Sequence, residues 1–250
     1  MKEVKLNGKR VRLYDSIDEL PIVRFHKYNR MLLLDAGIGS DISDFDAHIE
    51  KVVRWLKKGD NENAAKEMEN MRQNVYMVLS EQSVRHLSFA CLVESIDGKP
   101  CDDLSPEGLT KVLHQLGGAP KSEITTEASE VKKKIDSELS LYFPSLFNDV
   151  RTREYYDMLK RLTLAKIEEI TGDGTEQRTK DIETQLVLFS KPKTYTGNDG
   201  LEVKHDKEFE SMCIVITKET GREAKKMTTL EYYNAYEWVV KQHKTQNKAR

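Results

Sequence analysis

The fold is decided by residues 15–58, DSIDELPIVRFHKYNRMLLLDAGIGSDISDFDAHIEKVVRWLKK. This stretch predicts two helices joined by a tight glycine turn. Ser16 or Asp18 is the predicted N-cap of the first helix, and Pro21 suits its first turn, where a missing amide costs no hydrogen bond. The glycines of residues 37–39 end that helix. Because the connection is so short, the two helices are expected to form an antiparallel hairpin.

The second helix is predicted to begin at Ser40 or Asp41, whose side chains can cap it. Its apolar residues recur at three- and four-residue steps: Ile42, Phe45, Ile49, Val52, Val53 and Leu56. This spacing indicates a strongly amphipathic helix. We interpret residues 15–58 as the scaffold of the domain, with glycines in the turn and leucines in the core.

Residues 3–14, EVKLNGKRVRLY, precede this scaffold and predict a β-hairpin turning at Asn7-Gly8, the strongest short hairpin signal. Downstream, apolar residues at helical spacing predict helices within 64–78, 83–94, 105–116, 124–142, 155–170, 176–190 and 228–242. Phe143–Phe147 breaks the pattern with aromatic residues that we expect to be exposed. The helix before it has a thin apolar stripe and is expected to lie on a surface or project from the body.

Residues 191–200, KPKTYTGNDG, predict a loop, and the alternation of Met212, Ile214 and Ile216 predicts a strand over 210–218. The fold class is therefore mainly α: a helical bundle with an N-terminal β-hairpin and a small C-terminal α+β portion. Three regions are predicted: a hairpin-plus-helix domain over 1–118, a long-helix region over 119–190 and an interaction region over 191–250.

The composition sets limits on function. The 250 residues carry a formal net charge of -2 with 33% charged residues, which gives no overall bias towards nucleic acid or acidic membranes. No apolar run is long enough for a membrane span, and the first residues, MKEVKLNGKR, lack the apolar segment of a signal peptide. Three widely spaced cysteines, Cys91, Cys101 and Cys213, indicate reduced thiols in a reducing compartment.

Residues that could carry chemistry form no recognised motif. Asp41, Asp44, Asp46 and His48 could in principle hold a hard divalent ion, but acidic residues at a helix start are expected for capping. The six histidines are scattered, and no zinc-type cysteine pair, nucleophile elbow or phosphate-binding loop is present. We therefore predict a protein that is not an enzyme and has no metal, cofactor or catalytic residue.

Features typical of protein interfaces are better represented. Four aromatic residues within 232–238 cannot all face one way at 100° per residue, so part of this aromatic surface should remain outside the core. We predict an interaction surface over 119–150, over the loop at 191–207 and on the last helix. Its predicted contact residues are Phe143, Phe147, Tyr195, Tyr232, Tyr236 and Trp238.

Four blocks of the chain resemble a virion structural protein of crAss-like bacteriophages, podovirus-like phages of gut Bacteroidales. These blocks are LNGKRVRLYDSIDELPIVRFHKYNRMLLLDAGIGSDISDFDAHI, FSKPKTY, DKEFE and TTLEYYNAYEWV. In size and layout the chain is similar to the ring or connector proteins stacked between the portal and the tail of these phages. The motifs are a general pattern and include no catalytic signature.

The resemblance implies many copies forming a closed ring around the DNA channel of the virion, after synthesis in the cytoplasm of the bacterial host. The implied partners are copies of the chain, the portal, other tail or connector proteins and, non-specifically, packaged DNA, with no membrane. Two other classes stay open: a non-virion tail-assembly chaperone, and a nucleic-acid-binding regulator that uses the Lys/Arg-rich ends.

Overall fold

The computed structural model describes residues 1–39, 41–79, 83–117, 121–147, 150–189 and 191–248. It is mainly helical and begins with an antiparallel β-hairpin, as predicted, which is part of a small sheet. Strands β1 (Lys2–Leu6) and β2 (Lys9–Leu13) pair across Asn7-Gly8, where both residues have positive φ angles. The turn therefore lies where the Asn-Gly signal predicted it.

Two further strands complete this sheet, in the order β1-β2-β3-β4. Helix α4 (Val84–Leu92) passes directly into β3 (Val93–Ile96), which turns at Asp97-Gly98 into β4 (Lys99–Pro100). The prediction that the helix continues to Glu94 is therefore wrong. Val11 of β2 pairs with Ile96, so the β-branched residues Val93 and Ile96 are buried against the hairpin.

Helix α1 (Ile22–Ile38) is the centre of the core. It buries one apolar face: Ile22, Phe25, Tyr28, Met31, Leu34 and Ile38. The predicted caps are wrong, because residues 16–20 form a separate turn and Pro21 occupies the N-cap position without a side-chain hydrogen bond. The Ser16 hydroxyl instead donates to the carboxylate of Glu138.

Helix α2 (Ile42–Lys57) packs mainly on α3 (Asn61–Leu79), with which it forms an antiparallel hairpin, so the hairpin predicted between α1 and α2 is wrong. Helix α5 (Pro106–Gln115) follows β4. Asp41 caps α2, accepting hydrogen bonds from the amides of Ser43 (2.9 Å) and Asp44, whereas Ser40 lies outside the described residues. Ser105 caps α5, with Pro106 at its first position. The boundary predicted between residues 118 and 119 lies outside the described residues.

Helix α6 (Lys121–Tyr142) packs along the body and does not project from it. It buries Ile124, Val131, Ile135 and Leu139. Lys2 of β1 reaches its carboxylates Glu127 (2.6 Å) and Glu130 (2.7 Å). Four buried apolar residues thus pack this long helix against the body, and ion pairs from Lys2 hold its charged side to the β-hairpin.

The remaining helices are α7 (Pro144–Phe147), α8 (Val150–Thr171), α9 (Glu176–Phe189), α10 (Leu201–Thr220) and α11 (Thr229–Lys248), with a 3-10 turn at Ala224–Lys226. The strand predicted over 210–218 is wrong, because this segment lies inside α10. The alternation there coincides with a helical stripe: Cys213 and Ile216 are buried with Phe209 packed beside them, while Ile214 is exposed. The loop predicted to reach residue 207 also ends earlier, at α10.

Backbone hydrogen bonds join the two ends of the chain. The amide of Ile22 donates to Met227 O (3.0 Å), and that of Thr229 donates to Leu20 O (2.8 Å). Pro21 and Thr228 form an isolated antiparallel bridge between these bonds. The starts of α1 and α11 are therefore fixed to each other, and Met227, Tyr232 and Val239 share one apolar core with α1.

Candidate interaction surfaces

The six predicted interface residues have different environments. Phe143 and Tyr232 are buried, so the prediction that they present exposed aromatic surface is wrong. Phe147, Tyr195 and Tyr236 are half-buried and pack against the core. Trp238 alone among the six is classed as exposed, at 45%.

Several aromatic rings pack around Tyr233 of α11. Its ring centre lies 5.4 Å from that of Phe143, 5.3 Å from that of Phe147 and 6.1 Å from that of Phe25. Burial raises the pKa of Tyr233 to about 12. The aromatic residues of the break after α6 therefore turn inward and pack against α1 and α11.

Tyr195 has an equally specific place within the chain. Its ring packs so closely on Gly37 of α1 that a Cβ at position 37 would fall within the ring. Close by, the side-chain amide of Asn70 donates to Lys193 O (3.2 Å). The loop at 191–200 is thus held against α1 and α3, and Gly37 serves as a contact site inside the helix, whereas Gly39, with φ of 80°, ends it.

A groove of about 240 Å³ runs between α1, α10 and α11. In it, the ring of His26 is stacked between His205 (centres 4.4 Å apart) and Phe209 (4.0 Å). His26 Nε2 lies 2.9 Å from an oxygen of Asp206, which also pairs with Arg30 (2.8 Å). Burial lowers the pKa of His26, partly opposed by Asp206. The sequence showed only scattered histidines, since positions 26 and 205 meet only in the fold.

Arg24 is a second residue that the sequence reasoning missed. Its guanidinium is buried and donates to the carbonyl oxygens of Cys91 (3.3 Å) and Val93 (2.9 Å), to Cys101 O and to the carboxylate of Asp102 (3.2 Å). These bonds fix α1 to the edge where α4 becomes β3. The sequence did contain a signal for this role. Arg24 lies four positions after Leu20 and four before Tyr28, so it is a charged residue on the apolar face of the helix.

Helix α2 exposes most of its apolar stripe. Ile42 is 66% exposed, and Ile49, Val53 and Leu56 are also exposed; we call these four residues the α2 face. The helix buries His48, Val52 and Trp55 instead. At 100° per residue, the buried side is rotated by about a quarter of a turn from the centre of the stripe. The amphipathic helix is confirmed, but its stripe does not mark the packed side.

The seam between α2 and α3 is polar. His48 Nδ1 lies 2.8 Å from a carboxylate oxygen of Glu67, and its Nε2 lies 3.0 Å from Ile38 O. Helix α3 also buries Asn63, Asn70 and Asn74. Together with Glu67, these residues step by four, three and four along the helix and so lie on one side of it. The hairpin therefore buries a row of polar groups beside Val52 and Trp55 and leaves several apolar side chains exposed.

Further apolar side chains are exposed on other helices. Leu164, Ile167 and Ile170 form what we call the α8 face, where Ile170 is 86% exposed. Leu141, Tyr142 and Leu146 are exposed where α6 meets α7, and Ile214 is exposed on α10. Glu183 of α9 joins the α8–α9 pair to the body, accepting from Lys166 (3.0 Å) and Arg54 (3.1 Å).

The residues considered for a metal site serve other purposes. Asp41 and Asp44 form a reciprocal capping box, and His48 is turned into the polar seam. Among the residues placed by the structure, no group of three or more His, Cys, Asp and Glu side chains is arranged to hold a metal ion. Cys91, Cys101 and Cys213 are free thiols, and burial raises the pKa of Cys91 to about 12.

The described helices include none that is both long enough and apolar enough to cross a membrane. Comparison of the chain with protein-family models, with curated proteins and with solved structures finds no significant match.

Proposed function

We propose that the protein is a non-enzymatic structural component of a phage virion, a multi-copy ring or connector subunit between the portal and the tail. The proposal is supported first by the sequence blocks over 6–49, 189–195, 206–210 and 228–239, which resemble such proteins of crAss-like phages. The observation that carries it is apolar surface left exposed on several separate helices.

A ring subunit needs two different complementary patches, because head-to-tail contacts join one face of a copy to another face of its neighbour. The α8 face and the exposed residues at the junction of α6 and α7 provide apolar surface on different helices. Exposed apolar clusters of this kind are typical of protein–protein contact sites. Trp238 adds an exposed aromatic side chain, a residue type enriched at interfaces.

The charge of the chain suits a position around DNA. With a formal net charge of -2, the protein has no strong overall attraction to a polyanion, so packaged DNA could slide past it. In this role the partners are identical copies, the portal and neighbouring tail proteins, with non-specific contacts to the DNA.

Quantitative mass spectrometry of gradient-purified virions of the encoding phage tests the proposal. We expect the protein at a fixed copy number relative to the portal, and an electron-microscopy reconstruction should place it as a closed ring next to the portal. A non-structural protein of the same phage serves as the negative control. Abundance in the infected-cell lysate with absence from virions would contradict the ring role and favour the assembly chaperone.

A further inference from the structure

Beside the stripe of α2 runs a row of exposed residues with an ordered charge pattern. Asp46, Glu50, Val53 and Lys57 follow at i, i+4, i+7 and i+11, so they lie along one line of the helix surface. The row is acidic, acidic, apolar and basic. The helix dipole favours acids and bases only within the first and last turns, and both Asp46 and Glu50 lie beyond the first turn.

The apolar part of this surface has the spacing of a helix-pairing seam. Ile42, Ile49 and Leu56 are exposed and seven residues apart, as at one position of a heptad, and the exposed Val53 lies beside them, whereas Val52 is buried within the chain. The side of α2 that packs on α3 is already occupied by the polar seam. The α2 face is therefore available to a second helix running along it.

We propose that this second helix is α2 of another copy of the chain, lying antiparallel across a two-fold axis near Val53. That arrangement places Ile49 opposite Leu56 of the second copy. Along the helix axis, Lys57 of the second copy then lies between Asp46 and Glu50 of the first copy. A parallel arrangement would instead place like charges together, and like charges side by side are destabilising. Glu50 also pairs with Arg54 of its own helix (3.6 Å).

This contact goes beyond the proposed ring role and does not depend on it. A two-fold contact uses the same patch on both copies, so it joins pairs and cannot by itself close a ring of many subunits. Such a dimer would form in the free protein, or where two rings meet face to face. The contact uses four apolar side chains of a single helix, so we expect a weak dimer with a dissociation constant on the order of 10–100 µM.

Sedimentation velocity over a concentration series tests the dimer. The full chain should pass from monomer to dimer, and Val53→Asp should weaken dimerisation at least about tenfold, because two carboxylates would be buried at the axis. Ile214→Asp, a matched change at an exposed isoleucine of α10, should leave the dimer unchanged. A folded chain that stays monomeric up to about 0.5 mM, well above the expected constant, would overturn the proposal.

Cysteine cross-linking tests the direction of pairing, in a chain whose Cys101 is replaced by serine. Val53→Cys should form a disulfide between two copies under mild oxidation. Ile42→Cys should not, because the two residues would lie roughly 30 Å apart along the axis at about 1.5 Å per residue. Equal cross-linking of both variants would indicate parallel pairing and contradict the proposal.

A charge exchange provides the third test. Lys57→Asp should weaken the dimer, and adding Asp46→Lys should restore much of the lost affinity, since the two sites face each other only in the antiparallel pair. A double variant weaker than either single variant would count against this geometry. If the dimer forms but the protein is absent from virions, only the ring proposal fails; the reverse result removes only the α2 contact.

Discussion

Helices α1 and α2 are neighbours in the chain and similar in length, yet they use their apolar residues in opposite ways. In α1 the apolar stripe is the buried side and reaches the sheet, α4 and α11. In α2 most of the stripe is exposed, while His48 and Trp55 face the rest of the chain. Periodicity thus indicates that a helix is amphipathic, but not which neighbour covers its stripe.

The largest difference between the two helices should appear in their response to truncation. Phe25→Ala in α1 removes a side chain that is 2% exposed and packs on Tyr28 and Tyr233, so we expect a loss of about 3–5 kcal/mol of unfolding free energy. Urea denaturation measures this loss. Tyr76→Ala, an exposed aromatic of α3, is the matched control and should change stability by less than about 0.5 kcal/mol.

The polar seam of the α2–α3 hairpin predicts a smaller, non-additive effect. Glu67→Leu leaves His48 Nδ1 buried without its partner and should cost about 1–3 kcal/mol. The double variant His48→Leu/Glu67→Leu should be less destabilised than the sum of the single variants, because it removes both members of the pair. Additive losses in the denaturation midpoints would show that the pair does not act as a unit.

The groove beside α1 predicts a pH dependence. Burial lowers the pKa of His26 below its ordinary 6.5, so the unfolded chain binds more protons than the fold just below that pH. The stability that depends on neutral His26 should therefore be fully present above pH 6.5. It should decrease as the pH falls towards the pKa of His26 in the folded chain. Around this ring and its carboxylate lie His205, Arg30, Asp206 and Glu202, and the groove is also lined by Glu208, Tyr232, Tyr233 and Tyr236.

Chemical denaturation at about pH 7 and about pH 5, on either side of the ordinary histidine pKa, checks this expectation. His26→Gln should flatten the decline, while His243→Gln, at an exposed histidine of α11, should leave the decline unchanged. An unchanged profile in His26→Gln would assign the acid sensitivity to another group. We expect this effect to be smaller than the loss in Glu67→Leu.

Local signals in the sequence were sufficient for much of the fold. The Asn7-Gly8 turn, the Ser105-Pro106 cap and most helices follow from residues close together in the chain. The secondary-structure prediction was wrong where two patterns coincide. In α10 the same apolar residues fit both the alternation of a strand and the stripe of a helix. It was also wrong where a helix passes into a strand without a break, as at Val93.

The candidate surfaces were less predictable, because exposure depends on what distant segments cover. Phe143 and Tyr232 are aromatic residue types that are common at interfaces. In the fold, however, both rings pack against Tyr233 and are part of the core. The His26–His205 stack joins residues far apart in the chain. In α3, by contrast, a signal was present: Asn63, Glu67, Asn70 and Asn74 carry a helical period of their own, typical of a buried polar seam.

The smallest expected effect is on the α2 face itself. Leu56→Gln replaces an exposed apolar side chain by one of similar size, so the unfolding free energy of the monomer should change by no more than about 0.5 kcal/mol. Denaturation at low micromolar concentration, where paired copies would separate, measures this value. A loss comparable to that in Phe25→Ala would mean that another part of the same chain covers the stripe. Unchanged monomer stability with weakened self-association would instead assign the stripe of α2 to contact between copies, in contrast to the stripe of α1.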